Sequence, residues 1–172
     1  MSVRVLVLYD DTGHLIGPLA EAVEMGTRAA QQVEVERAVV GSAKSDYLLA
    51  ADAIILGCPN WSGITGKLKN WLDEQGDLWE EGKLAGKIGA AFTTSWSRSA
   101  GVEFTLLSLI HWMLAAGMII VGLPWSDRLR TSGSYYGPYA AGEVTRDDLE
   151  QARALGERVA RVALQLKGLK AV

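Results

Sequence analysis

A chain of 172 residues, 49% of them apolar, can bury a core without staples and reads as one domain over 1–172. A net charge of −3 with mixed signs argues against a nucleic-acid surface, and no apolar run reaches the length of a membrane span. One cysteine, Cys58, excludes an internal disulfide, and two histidines beside it make a structural zinc site a poor reading; the expectation is a cytoplasmic protein without a signal peptide.

Residues 3–8, Val-Arg-Val-Leu-Val-Leu, are rich in β-branched residues and predict a strand. A helix follows over 18–32, with Pro18 tolerated in its first turn. Residues 33–40 alternate Val and Glu, the pattern of a strand near a sheet edge. Ser45 caps a short helix through Ala51. The apolar run 53–56 is a buried strand ended by Gly57 and Pro59, and from Leu68 apolar residues fall at helical spacing. A connection over 76–86 leads to a fourth strand over 87–93, a helix over 102–116 and a fifth strand over 118–122. Residues 124–142 form a long aromatic segment, of a length that is usually functional when it has no structure of its own. Thr145 with Asp148 opens a terminal amphipathic helix to about 166. Five strands alternating with helices predict a three-layer α/β fold with a parallel sheet.

Three loops follow strand ends, over 10–15, 59–66 and 94–101, and in a parallel sheet all emerge on one edge, where ligands bind in open α/β folds. The first resembles a turn in which a hydroxyl and successive N–H groups at a helix N-terminus hold a phosphate. The other two supply Asn60, Trp61, Ser62, Thr94, Ser95 and Trp96, a set suited to gripping a planar heterocycle. Rival readings lack essential groups. Asp10 and Asp11 at the first strand end suit a receiver domain, but the third and fifth strand ends offer neither an acceptor Asp nor a Lys. Asp-Thr-Gly at 11–13 is too short to indicate an aspartic protease, and no Gly-x-Ser-x-Gly elbow is present. His111, beside Trp112 and Met113, reads as a packing residue, and Cys58 as a small buried one.

Gly-Cys-Pro-Asn-Trp-Ser-Gly-Ile-Thr-Gly-Lys-Leu-Lys-Asn-Trp-Leu-Asp at 57–73, Gly-Asp-Leu-Trp at 76–79 and Gly-Lys-Leu-Ala-Gly-Lys at 82–87 resemble the flavodoxin-like NAD(P)H:quinone oxidoreductases of the WrbA type. So do Phe-Thr-Thr-Ser (92–95), Gly-Val-Glu (101–103), Gly-Met-Ile-Ile-Val-Gly-Leu-Pro (117–124) and Ser-Tyr-Tyr-Gly-Pro-Tyr (134–139). The resemblance implies a doubly wound flavodoxin-like fold with a five-stranded sheet of order 2-1-3-4-5, bound FMN, and two-electron reduction of a quinone-like acceptor by NADH or NADPH. It places Thr12, Gly13, His14 and Leu15 around the FMN phosphate. Pro59, Asn60, Trp61, Ser62 and Gly63 then flank the isoalloxazine, with Thr94, Ser95, Trp96 and Gly101 on its other side. No catalytic side chain and no metal are implied, because the flavin carries the hydride chemistry.

The chain departs from the family pattern at three places. Asp10 and Asp11 stand where the first loop usually has Ser or Thr, Leu15 stands for a Thr, and the loop is one residue short. Ala115-Ala116 replaces a histidine pair near the flavin ring, which predicts slow turnover, and the segment between the second strand and Asp52 is shorter. An inward carboxylate in the first loop predicts weak FMN binding. The alternatives are therefore a flavin-free binding or scaffold protein, whose Asp10 or Asp11 occupies the N–H groups a phosphate would take, and an electron-carrier flavodoxin. The aromatics of 124–142 predict a homodimer or homotetramer.

Overall fold

The computed structural model describes residues 2–169. Six strands and six helices follow in chain order: β1 (Val3–Tyr9), α1 (Ile16–Arg28), β2 (Val33–Val39), α2 (Ser45–Ala50), β3 (Ala53–Pro59), α3 (Gly66–Asp73), α4 (Gly76–Glu80), β4 (Ile88–Ser95), α5 (Val102–Ala115), β5 (Ile119–Ile120), β6 (Tyr139–Ala141) and α6 (Arg146–Leu169). All strand pairs are parallel, as the alternation of strands and helices predicts, and run in the order 2-1-3-4-5 that the family resemblance implies.

The sheet has six strands rather than five, because the edge strand is interrupted. β5 pairs with the start of β4 at Ile88 and Gly89, and β6 pairs with its end at Thr93, Thr94 and Ser95. Between the two halves the chain leaves the edge through Pro124 and a 3-10 turn at Asp127–Arg130, so the aromatic segment is a structured excursion from one strand.

Side-chain alternation explains the layers. Val3, Val5, Val7 and Tyr9 of β1 pack with α1 and α6 on one face, while Leu6 and Leu8 pack with α2, α3 and α5 on the other. β3 and β4 are buried along their whole length, as a central parallel strand requires. β2 keeps Glu34 and Glu36 exposed at the edge. α1 and α6 cross at backbone distance: a Cβ on Gly26 would stand 2.0 Å from Arg153 O, and one on Gly156 would stand 2.1 Å from Val23 O. Only glycine permits that crossing.

Boundaries differ where local chemistry overrides periodicity. α1 starts at Ile16 and ends at Arg28, and Gln32 turns the chain with a φ of 65°. Ser45 lies inside α2 and makes no cap, the N-cap position being Lys44. The connection over 76–86 contains α4, whose Trp79 indole donates to Ala115 O. The start of α6 is as expected: Thr145 N donates to Asp148 Oδ2 at 2.8 Å, and Asp148 N donates to Thr145 Oγ1 at 3.3 Å.

Candidate flavin site

Register fixes the site. Pro59 sits opposite Thr94 across β3 and β4, and the next residue continues the ladder, with Asn60 N donating to Thr94 O at 2.7 Å. β1 ends one strand away, where Asp10 N donates to Gly57 O at 3.0 Å. The three strand-end loops therefore leave the sheet side by side. They enclose one cleft, lined by Thr12, Gly13, His14 and Leu15, by Pro59, Asn60 and Trp61, and by Thr94, Ser95 and Trp96.

Ten of the thirteen candidate residues are thus brought together. Ser62 and Gly63 lie just beyond the lining and make the turn that presents Trp61: both have positive φ, 60° and 117°, and Trp61 N donates to Gly63 O at 3.0 Å. Gly101 lies beyond it too, at the N-cap of α5, with a φ of 83°.

Asn60 braces the second and third loops. Its Nδ2 donates to Ala100 O at 2.6 Å, while its Oδ1 accepts from Gly63 N at 3.0 Å and from the buried Thr105 hydroxyl at 3.1 Å. Two donors facing Oδ1 and a carbonyl facing Nδ2 fix the orientation of the amide. The side chain is consumed by this bracing, so Asn60 shapes the cleft instead of reading a ligand with its amide. The residue after β6 ties the root of the third loop, with Gly142 N donating to Ser95 O at 2.8 Å.

The walls are aromatic and open. Trp61 is 64% exposed and Trp96 72% exposed, and the His14 ring meets Trp96 edge-on with centroids 6.0 Å apart. Large aromatic faces left in water beside a cleft suit stacking on a flat ligand. On the first-loop side, the amides of Gly13, His14 and Leu15 have no acceptor among the described residues, and α1 has no side-chain cap. Successive unclaimed amides leading into a helix N-terminus suit an anion. These donors and faces fit a flavin mononucleotide, which needs both an anion site and a flat stacking surface.

The first loop holds Asp10 as expected, and Thr65 and Lys67, which the motifs did not point to, close a cluster around it. Asp10 is fully buried; its Oδ1 accepts from Thr12 N at 3.0 Å and from Thr12 Oγ1 at 2.7 Å, and its Oδ2 accepts from the Thr65 hydroxyl. Burial pushes the Asp10 carboxyl up, but the Thr65 and Thr12 hydrogen bonds and the charge of Lys67 together hold it below the usual carboxylate range. Asp11 points outward and pairs with Lys67 at 2.5 Å. The expectation that one carboxylate faces the loop is met by Asp10. Thr65 also caps α3, accepting from Leu68 N at 3.2 Å. A hydroxyl preceding the glycine that begins a helix was a visible cap signal, but its pairing with a residue 55 positions earlier was not.

Two readings are corrected. His111 is exposed on α5 rather than packed. Ala116 is not beside the ring within this chain: it ends α5 next to Gly117, whose carbonyl accepts from Gly86 N at the opposite edge of the sheet. α5 descends from the cleft, so its C-terminal end lies a helix length away from the cleft. Cys58 is buried as expected; burial pushes its thiol up to about 11, and its sulfur accepts from Thr65 N at 3.3 Å.

Residues 25–126 match the family model described as NADPH-dependent FMN reductase. A protein of Archaeoglobus fulgidus named NAD(P)H dehydrogenase (quinone) is 45% identical over 125 residues, which are 72% of this chain and 65% of that one. A protein of the same name from Azorhizobium caulinodans is 40% identical across 96% of this chain and 99% of its own length. Among solved structures, a flavodoxin, WrbA-like protein from Agrobacterium tumefaciens superposes with a TM-score of 0.75 and 30% identity, over 96% of this chain and 99% of that one. The parallel 2-1-3-4-5 sheet, the cleft at its carboxyl edge and these matches agree, and the chain belongs to the NADPH-dependent FMN reductase family.

Proposed function

We propose that the protein is an FMN-dependent NAD(P)H:quinone oxidoreductase. One observation carries the reading: three strand-end loops make a single open cleft with two exposed tryptophans at its walls and unclaimed amides at 13–15. When bound, FMN supplies the hydride and electron chemistry that no side chain of the cleft offers. Gly13, His14 and Leu15 would hold the phosphate through their amides. Pro59, Asn60, Trp61, Ser62 and Gly63 border the ring on one side, and Thr94, Ser95, Trp96 and Gly101 on the other. Thr94 and Ser95 are buried at the strand end and would keep water from the floor of the cleft, while Asn60 keeps the second and third loops in place. Trp61 and Trp96, both exposed beside the cleft, would offer a flat substrate, nicotinamide or quinone, a stacking surface.

The working form is a homodimer or homotetramer in the cytoplasm, where nicotinamide reductants are made and a free thiol such as Cys58 persists. Support for assembly lies on α5, whose outer face carries Phe104, Leu107 and Leu114, all exposed, and on Trp125, Tyr135 and Tyr136 of the excursion. Large apolar side chains grouped on an exposed helix face seek cover. No described helix is long and apolar enough to cross a membrane.

A flavin-free module is the second reading, favoured by the capture of Thr12 by Asp10. Fluorescence titration separates the two: FMN should quench Trp61 and Trp96, and Trp61→Phe with Trp96→Phe should abolish most of that quenching. Absence of any FMN binding at high micromolar concentration would leave only the flavin-free reading.

A further inference from the structure

The first loop carries an anion of its own beside the amides that suit a phosphate. Asp10 lies one residue past β1, and its buried carboxylate takes the amide and the hydroxyl of Thr12 as well as the Thr65 hydroxyl. Lys67, the cation that reaches this loop, is held 2.5 Å from Asp11 and 3.5 Å from Asp10. Two donors of the loop and its neighbouring ammonium are therefore engaged by carboxylates of the chain itself. Two aspartates against one lysine also leave one negative charge uncompensated. A phosphate monoester, which carries close to two negative charges, meets the remaining amides of Gly13, His14 and Leu15 with that charge behind them. The ribityl chain and oxidised ring are neutral and feel little of it.

We propose that Asp10 is a specificity-determining residue for the cofactor. It stands in for part of the flavin phosphate, so that the chain recognises its flavin mainly through the ring loops and accepts a flavin lacking the phosphate, riboflavin, about as well as FMN. The inference rests on the flavin-site reading above. Asp10 also keeps the loop in its binding shape before any ligand arrives, because Thr12 and Thr65 are satisfied internally. A hydroxyl at this position would leave the Thr12 donors pointing at the ligand and remove the repulsion.

The test is a titration of the full chain, stripped of bound flavin, with FMN and separately with riboflavin, in the wild type, Asp10→Asn and Asp10→Ser. Asn keeps the volume, its Oδ1 can still accept from Thr12, and its Nδ2 can donate to Thr65; melting temperatures verify that each variant is folded. The wild-type dissociation constants for FMN and riboflavin should lie within about tenfold of each other. Asp10→Asn should tighten FMN by about tenfold while moving riboflavin by no more than about threefold, since only the phosphate feels the removed charge. Asp10→Ser should tighten FMN further, because it also releases the Thr12 donors. A wild type that prefers FMN by about a hundredfold or more would overturn the proposal, and so would an unchanged FMN-to-riboflavin ratio in both variants. Equal weakening of both flavins in folded variants would overturn it as well, assigning Asp10 to loop shape alone. If none of the three proteins binds either flavin, the flavin-site reading itself fails and the role of Asp10 falls with it.

Discussion

Removing the Asn60 side chain should loosen the cleft and the fold together. Asn60→Ala deletes one donor, to Ala100 O, and one acceptor shared by Gly63 N and Thr105 Oγ1. Ala100 is exposed and Gly63 half-buried, so both recover hydrogen bonds from water. Thr105 is fully buried, and its hydroxyl is left without this partner. Three neutral bonds at about 1 kcal/mol each, partly recovered at two sites and aggravated at the third, give a loss of roughly 2–3 kcal/mol. For a domain of this size that lowers the melting temperature by about 4–12 °C. Thr105→Val alone should cost about 1 kcal/mol. The double variant should cost less than the two singles added, by about 1 kcal/mol, because Asn60→Ala no longer strands a hydroxyl. Melting followed by circular dichroism on the flavin-free proteins provides all four corners of the cycle. Asn60→Ala melting with the wild type, or strict additivity with Thr105→Val, would refute the bracing role.

Acid unfolding should report Asp10. Its folded pKa is lowered, so its contribution is fully present above the unfolded value near 3.8 and is lost as the pH falls through the lower folded value; Asp10→Asn should flatten that limb of a stability-against-pH curve. Cys58, pushed up to about 11, is protonated and buried at pH 8, so iodoacetamide should label it in denaturant and scarcely at all in the native protein, as followed by intact mass. Gly57→Ala would put a Cβ 2.1 Å from the Phe92 ring, and overpacking there should destabilise by roughly 1–3 kcal/mol in a denaturant titration, with Phe92→Leu restoring part of the loss. Thr145→Ala should cost about 1 kcal/mol through the lost cap of α6, read in the same titration.

Element types were legible in the sequence because β1 and β3 are rich in apolar and β-branched residues and α1 and α6 are periodic; the order of the sheet came only with the family resemblance, since chain order does not fix strand order. The cleft was legible for a related reason. A loop that follows a strand in a parallel sheet has one edge to emerge on, so Trp61 and Trp96 could be placed together without coordinates. The split of the edge strand was not legible. Tyr139, Ala140 and Ala141 have little strand character of their own, and they pair because β4 outruns β5 and leaves Thr93, Thr94 and Ser95 unpaired on that side. The bracing of Asn60 and the capture of Asp10 by Thr65 were hidden for another reason: each links residues 40 or more apart through side-chain atoms, and no periodicity encodes that. The position of Ala116 within the chain was not legible because a motif match carries no direction: α5 begins at the cleft and runs away from it.

The most direct measurement is anaerobic mixing of the FMN-loaded protein with NADH or NADPH, followed by a quinone, while the flavin absorption band is recorded. The account predicts that at least one nicotinamide bleaches the band within the mixing experiment and that the quinone restores it. A protein that holds FMN in its cleft, yet is bleached by neither nicotinamide, would contradict the oxidoreductase assignment and leave an electron carrier in its place.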